Sequence, residues 1–558
     1  MTLRRKLTPE EETTAAQHAQ REQTAQELRA QRARFTATFS LAALQPQLPL
    51  SFPSIDATPV PRFRARSWYT YRGWAALEAE DLAVLEPFYV ALHLIDFTPL
   101  RAELLARRKI HRNAAGETPF DPVSLFICCL LRWDKGLGWD KLAQFLAGPE
   151  AGCWRRLLGF AAGATPSGST MRGFQRALGS AFLTDLCPRF VTLLQRAGLL
   201  PAHSTLPGSP TTLGLPLASD GMLHEAHATM RCGQVTDSCY QPRTEAAPRP
   251  CPAREKGFDG CTCTTAACAE RCQYTTPRDP EARLIHYSGS NQEGEETKAA
   301  HNVYGYRSYA QVVRDDELHV AWTAHTSVQP ATTDERAIFP QDFARLGQRL
   351  PELRIGEVIA DAGVGYGACL RAIYDARAIP VVAIRRDAGD EDETTCRLRG
   401  YDGQGHLLCA HGYAMFFQGL DYARLRATWV CRQRCVRTPA ARPEDANCPF
   451  RDPDHPLGQV RHVRCTLQHP DGTQHERLAR LYPYGSKLWQ AHYGARRNAA
   501  EGRNSQIARL GLKRMWSYGL AGATADIALA DLLLNLRTLG RLVQEATLLP
   551  ALKVAPAA

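Results

Sequence analysis

Arg354-Ile-Gly-Glu-Val-Ile-Ala-Asp361-Ala-Gly-Val-Gly-Tyr-Gly367 is the stretch on which the reading of this chain turns. Ile355, Val358, Ile359 and Ala360 make a short buried strand that ends on a carboxylate, Asp361. A glycine-rich turn follows, then an amphipathic helix over about 364–378. Open α/β sheets handle their ligands at the carboxyl ends of strands, so an acid delivered there is a candidate site group. An aspartate before a glycine turn is also an ordinary turn former or helix cap. Asp361 therefore gains weight only from the acids that accompany it, Asp220 and Glu501. The stretch lacks Gly-x-x-x-x-Gly-Lys-Ser/Thr, which sets a phosphate-cradling nucleotide loop aside.

Outward from this point the chain reads as strands separated by helices. Residues 213–219 lead into Asp220. Residues 302–313 and 318–326 alternate and are expected to pair as a hairpin across 314–317. A helix over 334–350 follows, with Asp334 as its N-cap or first-turn acid, and 379–384 makes a fifth strand. Three strands, helix, strand, helix, strand is the order of a ribonuclease-H-like mixed sheet, an α/β fold. Pro216 is awkward inside a central strand, so the first strand is expected to begin just after it.

The rest of the chain arranges itself around this core. Residues 1–74 are a polar helical arm and linker: 9–36 lacks an apolar stripe, 44–61 is proline-rich, and 62–72 mixes arginines with aromatics. Residues 75–205 read as an all-α domain, with Asp121-Pro122 as a strong helix start. Residues 206–545 hold the sheet, interrupted by cysteine-rich insertions at about 231–295 and 390–480. Residues 487–513 form a basic helix bearing Glu501. A strongly apolar helix over 526–544 closes the fold, with Asp526 read as its cap, and 546–558 is a tail.

The 558 residues suffice for several domains and a large core. No apolar run approaches the roughly 18 residues of a membrane span, and no apolar segment follows the N-terminal charges, so a cytoplasmic protein is expected. Net charge is +10, from 67 Lys and Arg against 57 Asp and Glu. The excess is concentrated in Arg62, Arg64 and Arg66, in Arg432, Arg434 and Arg437, and in Arg496, Arg497, Arg503, Arg509, Lys513 and Arg514. Clustered arginine suits bidentate phosphate binding, which favours nucleic acid as partner.

Eighteen cysteines without a secretion signal do not suggest a disulfide framework. Cys128, Cys129, Cys153, Cys187 and Cys369 fall on apolar helices and read as small hydrophobes. In the insertions, Cys409, His411, Cys431, Cys435 and Cys448, and separately Cys251, Cys261, Cys263, Cys268 and Cys272, could hold structural Zn²⁺. Neither group has a Cys-x₂-Cys pair, so incidental thiols are the alternative.

Phosphoryl transfer from a phosphodiester can be driven by two Mg²⁺ ions held by two or three carboxylates. In the expected topology the first and fourth strands are neighbours, so Asp220 and Asp361 would lie side by side, a crowding of like charge that a metal would neutralise. Glu501 would complete the set, with Arg497 and Asn504 sharing its helix face.

These motifs together resemble a DDE transposase of a bacterial insertion sequence. The residues that carry the resemblance are Thr118-Pro-Phe-Asp-Pro-Val-Ser-Leu, Pro166-Ser-Gly-Ser-Thr170 with Phe174, and Leu217-Ala-Ser-Asp220-Gly. They continue with Tyr304-Gly-Tyr-Arg307, Ala360-Asp361-Ala-Gly-Val-Gly-Tyr366 and Arg496-Arg-Asn-Ala-Ala-Glu501, spanning about 85–545. The resemblance implies a helical domain for DNA binding or assembly, and a core that cleaves transposon ends and joins them to target DNA. It implies Mg²⁺, or Mn²⁺, on Asp220, Asp361 and Glu501, double-stranded DNA as partner, and a homodimer on that DNA. Tyr493, Arg496, Arg497, Arg503, Arg509 and Lys513 would contact the DNA.

The chain departs from the Tyr–Arg–Glu–Lys signature of many such enzymes. Arg497 and Glu501 are spaced as in the signature, Tyr493 is one residue early, and the lysine position holds Ala508, so Arg509 or Lys513 would have to serve. Two other functions share these residues: a derivative that binds DNA without cutting, and a nuclease without strand transfer.

Overall fold

The computed structural model describes residues 48–49, 68–73, 76–77, 84–107, 120–204, 213–228, 279, 281–287, 301–383, 398–401, 406–409, 413–421, 426–431, 461–466, 482 and 484–554. Arg62, Arg64, Arg66, Arg432, Arg434 and Arg437 lie outside them.

A helical layer comes first: α1 (Pro87–Leu94), α2 (Arg101–Arg107), α3 (Pro122–Asp134), α4 (Trp139–Ala147), α5 (Gly152–Leu158), α6 (Gly168–Leu178) and α7 (Ser180–Arg196). Asp121 caps α3, accepting from the Val123 amide at 3.2 Å, with Pro122 in the first turn. The same carboxylate takes the Tyr69 amide at 2.8 Å and pairs with Arg101 at 2.9 Å. The arginine-aromatic lead-in is thus packed on this layer where it is described, and Tyr69 is buried.

The mixed sheet follows, built from β1 (Leu215–Glu225), β2 (Arg283–Tyr287), β3 (His301–Asp315), β4 (Val320–Pro330), β5 (Ile355–Ala360) and β6 (Ile379–Val382). Helix α8 (Glu335–Arg349) lies between β4 and β5, and α9 (Gly367–Asp375) between β5 and β6. The strand order is β2-β3-β1-β5-β6, and β4 also pairs with β3. Strand β1 is antiparallel to β3 and parallel to β5, and β5 is parallel to β6. The expected neighbourhood of the first and fourth strands is thereby realised.

Within the first cysteine-rich insertion, Arg283–Tyr287 adds a strand that extends the β4 side of long β3. Its five residues alternate too briefly to be legible among polar neighbours. Pro216 corrects the expectation that the strand starts after it. It sits inside β1, opposite Glu357 at a register shift of the β1–β5 ladder and outside the β1–β3 pairing, which starts at Leu217–Val313. Within the second insertion, β7 (Phe416–Asp421), β8 (Arg426–Cys431) and β9 (Arg461–Thr466) form a separate antiparallel sheet.

Two helices complete the chain: α10 (Lys487–Ile507) and α11 (Gly519–Val554). Between them a wide turn over Ala508–Leu512 holds Gly511 at φ 84°, a left-handed conformation that ends the basic helix earlier than its composition suggests. Helix α11 is the shared spine. It packs against α1, α3 and α7 in the helical layer and against β4 in the sheet, so one continuous hydrophobic core spans both. At its crossing with α1, Gly540 lies directly against the Pro87 carbonyl, where a Cβ would not fit.

The expectation that no apolar run approaches membrane length needs correction. Gly519–Glu545 is long and apolar enough, but 72% of its apolar window is buried inside the fold, which makes it a core helix. Asp526 does not cap it. The carboxylate is fully buried, 3.7 Å from Arg132 and 3.3 Å from the Gln175 amide. The Arg132 guanidinium in turn lies over the rings of Trp133, Trp139 and Trp516. The helix begins seven residues before the expected cap because Gly519 and Leu520 amides are taken by Asp279 and Glu281 instead.

Candidate functional site

Asp220 lies in the middle of β1, two residues past the last β1–β5 pair, Ala218–Ile359. Asp361 follows β5 by one residue, so the two aspartates leave adjacent parallel strands at the same level. The Asp361 side chain also accepts from the Gly363 amide at 2.9 Å, so turn capping and site position coincide in one residue. Glu501 reaches the same place from α10, with its side chain half exposed.

A guanidinium stands among them. Arg497 bonds Asp220 at 3.2 Å and Glu501 at 3.2 Å, and also reaches the Ser219 carbonyl at 3.3 Å. The second Asp220 oxygen accepts from the Asn504 side chain at 2.9 Å. Burial pushes the Asp220 carboxyl above the usual range; Arg497 pulls it back, while Asp361 and Glu501 push it further up. Burial works against the charge on Arg497, but Asp220, Asp361 and Glu501 outweigh it and hold the guanidinium above its ordinary value.

A fourth acid escaped the sequence reading. Glu335, the first residue of α8, turns into the site and pairs with Arg307 at 2.7 Å. Burial and then Asp361 push its carboxyl up to about 7. The expected role of its neighbour is realised: Asp334 caps α8, accepting from the Arg336 amide at 2.9 Å. That role absorbed the acidic signal, although two adjacent acids at one helix start exceed what a cap requires.

The basic residues of α10 divide into two faces. Arg497, Glu501 and Asn504 face the carboxylates. Arg496 was expected to contact DNA, but it is fully buried, held by Glu357, by Asp316 at 2.7 Å and by Ser204 at 2.6 Å. Glu357 is further bonded by Tyr482 at 2.6 Å and His492 at 3.0 Å. Arg503, expected on DNA as well, is buried in a two-point pair with Asp531 of α11 at 2.8 Å. Both guanidiniums are spent inside the fold, because a buried charge must be paired there. They fix the rotation of α10 so that Arg497 and Glu501 face the strand ends.

Arg509 and Lys513 lie exposed just beyond α10. Tyr493 is half-buried, stacked on Trp489 at 4.4 Å, and close enough to the acids for Asp361 to add to the upward push that burial gives its hydroxyl.

The four carboxylates offer only oxygen donors, which suits a hard divalent cation. Among the described residues no three Asp, Glu, His or Cys side chains stand close enough to share one ion. Arg497 supplies the counter-charge between Asp220 and Glu501 instead.

Cys128, Cys129, Cys187 and Cys369 are buried free thiols, as expected of small hydrophobes, and burial pushes Cys129 up to about 12; Cys153 is partly exposed. His411, Cys435, Cys448, Cys251, Cys261, Cys263, Cys268 and Cys272 lie outside the described residues. Cys409 and Cys431 end strands of the second insertion.

No family model and no curated protein matches the chain. Among solved structures, a cryo-EM structure of a piggyBac transposase synaptic complex with hairpin DNA is similar over 88% of this chain and 85% of that chain, at 11% identity and a TM-score of 0.28. A likeness that slight decides neither fold nor chemistry, so what this chain does rests on its own strand ends and the acids gathered there.

Proposed function

We propose that the chain is a DDE-type DNA transposase, with a ribonuclease-H-like core that cleaves DNA at transposon ends and joins it to target DNA. One observation carries this reading. Asp220, Asp361 and Glu501, drawn from mid-strand, a strand end and a helix, gather around Arg497 where the parallel pairing of β1 with β5 ends. The strand order around β1 supports the same core.

Asp220, Asp361 and Glu501 would hold Mg²⁺ or Mn²⁺. When bound, such ions activate the attacking oxygen and stabilise the leaving oxygen of a phosphodiester. The protein's own groups do the positioning. Asn504 orients Asp220, the Gly363 amide orients Asp361, and the buried pairs of Arg496 and Arg503 hold Glu501 toward both. Arg497 is the guanidinium best placed to donate to a phosphate oxygen. Arg509 and Lys513 extend the cationic surface along the duplex, and the helical layer would bind DNA or assemble the dimer. The setting would be the bacterial cytoplasm, at the nucleoid.

The test is cleavage and strand transfer on DNA carrying the terminal repeats that flank the coding locus, with Mg²⁺ and with EDTA. Asp220→Asn, Asp361→Asn and Glu501→Gln should each lose activity by about a hundredfold or more, the several kcal/mol of charge stabilisation at stake in such a site. Retained activity in all three would defeat the assignment. Cleavage without joining would mark a nuclease, and binding without cleavage a non-cutting derivative.

A further inference from the structure

Helix α6 puts its apolar side chains on one face. Met171, Phe174 and Leu178 are buried, and Gln175 beside them donates to Asp526 of α11 at 3.3 Å. Its first turn is pressed onto α4, where a Cβ on Gly168 would run into Asp140. The helix is thus fixed both from below and at its start.

The opposite face is bare. Ser169, Arg172, Gly173, Arg176 and Ala177 are all exposed, at the spacing of one helix face. The helix contains no acid, whereas its neighbours α3, α4 and α7 carry Asp134, Asp140 and Asp185. Arg176 makes no ion pair among the described residues, and Arg172 faces one acid, the exposed Asp140 at 3.9 Å. The space over Gly173 is open, and Ala177 ends at its Cβ. A partner surface can therefore come down to the helix while the two guanidiniums reach past it.

The charge selects the partner. An acid-free cationic face complements phosphodiester, and a helix of ordinary width fits the major groove of about 12 Å. Packed on a second copy across a two-fold axis, the same face would set arginine against arginine. Resting on the transposase reading above, we propose that α6 reads the transposon end, entering the major groove of the terminal repeat. Arg172 and Arg176 face base edges there, where a guanidinium takes O6 and N7 of guanine as a pair. Ser167 and Ser169, exposed at the helix start, offer hydroxyls to the flanking phosphates.

The experiment measures binding of the full chain to a duplex carrying one terminal repeat and to a scrambled duplex of equal length, at one salt concentration. Melting curves and light scattering run alongside. Arg172→Ala and Arg176→Ala should each lower the preference for the repeat by about tenfold, with a much smaller effect on scrambled DNA. Gly173→Gln fills the open space. It should weaken repeat binding to a similar degree while melting at or above the wild type, because glutamine is the better helix former. A change that stabilises the fold and weakens binding is not structural damage.

Full preference in all three variants, with cleavage still lost in Asp361→Asn, would overturn the role of α6 and leave the site reading intact. Equal loss on both duplexes would reduce α6 to a charged surface and overturn its reading role. A dimer lost with the preference intact would give the face to a second copy, and overturn that role as well. A wild-type chain that neither prefers the repeat nor cleaves it would remove the transposase reading itself.

Discussion

Arg497 and Asp220 meet at 3.2 Å from positions 277 residues apart in the chain. The contact closes the site, because the guanidinium that reaches Asp220 also reaches Glu501. In this arrangement an arginine does for the acids what a divalent cation would do.

Arg497→Ala should therefore expose the repulsion among the carboxylates. The variant is expected to melt below the wild type in EDTA and to gain more in melting temperature from Mg²⁺ than the wild type does. Differential scanning fluorimetry with and without Mg²⁺ checks this. An equal Mg²⁺ increment in both proteins would contradict the counter-charge role.

The two faces of α10 should separate stability from DNA binding. Arg496→Ala removes the guanidinium that Asp316 and Glu357 share in the core, leaving Arg314 on Asp316 and only Tyr482 and His492 on Glu357. The change should cost about 3 kcal/mol of stability. Arg509→Ala and Lys513→Ala should leave the unfolding midpoint in place. Each should lower the salt slope of DNA binding by about one unit for every phosphate that is no longer neutralised. Denaturant unfolding and binding at several salt concentrations distinguish the classes.

His224 gives the fold an acid sensitivity of its own. It is fully buried, with Nδ1 2.5 Å from the Leu512 carbonyl and Nε2 2.7 Å from the Ser308 hydroxyl, and Arg503 is the charged group that faces it. Burial first, and then Arg503, lower its pKa from 6.5 to about 4. The unfolded chain thus binds a proton that the folded chain refuses, so stability is whole above pH 6.5 and is lost as the pH falls toward 4. The loss should be on the order of 3 kcal/mol. His224→Gln should be less stable at pH 7.5 yet show a flatter fall between pH 7 and 4, read by chemical denaturation across that range.

Gly540→Ala tests the spine. Its Cβ would collide with the Pro87 carbonyl, and backbone there cannot step aside as a flexible side chain can. The cost should be about 1–3 kcal/mol or more, typical of overpacking. Gly347→Ala, on α8 with open space around its Cβ position, should be neutral or slightly stabilising. The two melting temperatures give the comparison.

Much of this architecture was legible because it depends on local rules. The hairpin of β3 and β4, the strand that delivers Asp361, and the caps Asp121 and Asp334 follow from alternation and from side chains that bond amides two residues away. The buried thiols were legible from the apolar helices that carry them. Strand Arg283–Tyr287 was not, since its partner is the long β3 rather than anything nearby in sequence.

The sequence by itself determined which residues could be acidic strand-end groups, and in what order strands and helices succeed one another. Only the tertiary structure decided how the charges of α10 are shared out. Arg496 and Arg497 are adjacent and chemically identical, yet one is sealed against Asp316 and Glu357 while the other faces Asp220. Successive helix residues point about 100° apart, so which of them meets the core depends on what surrounds the helix. The same holds for Glu335. Its place between Asp220 and Asp361 depends on Gly221 and Gly363 leaving room for a carboxylate, a property of three segments meeting in space.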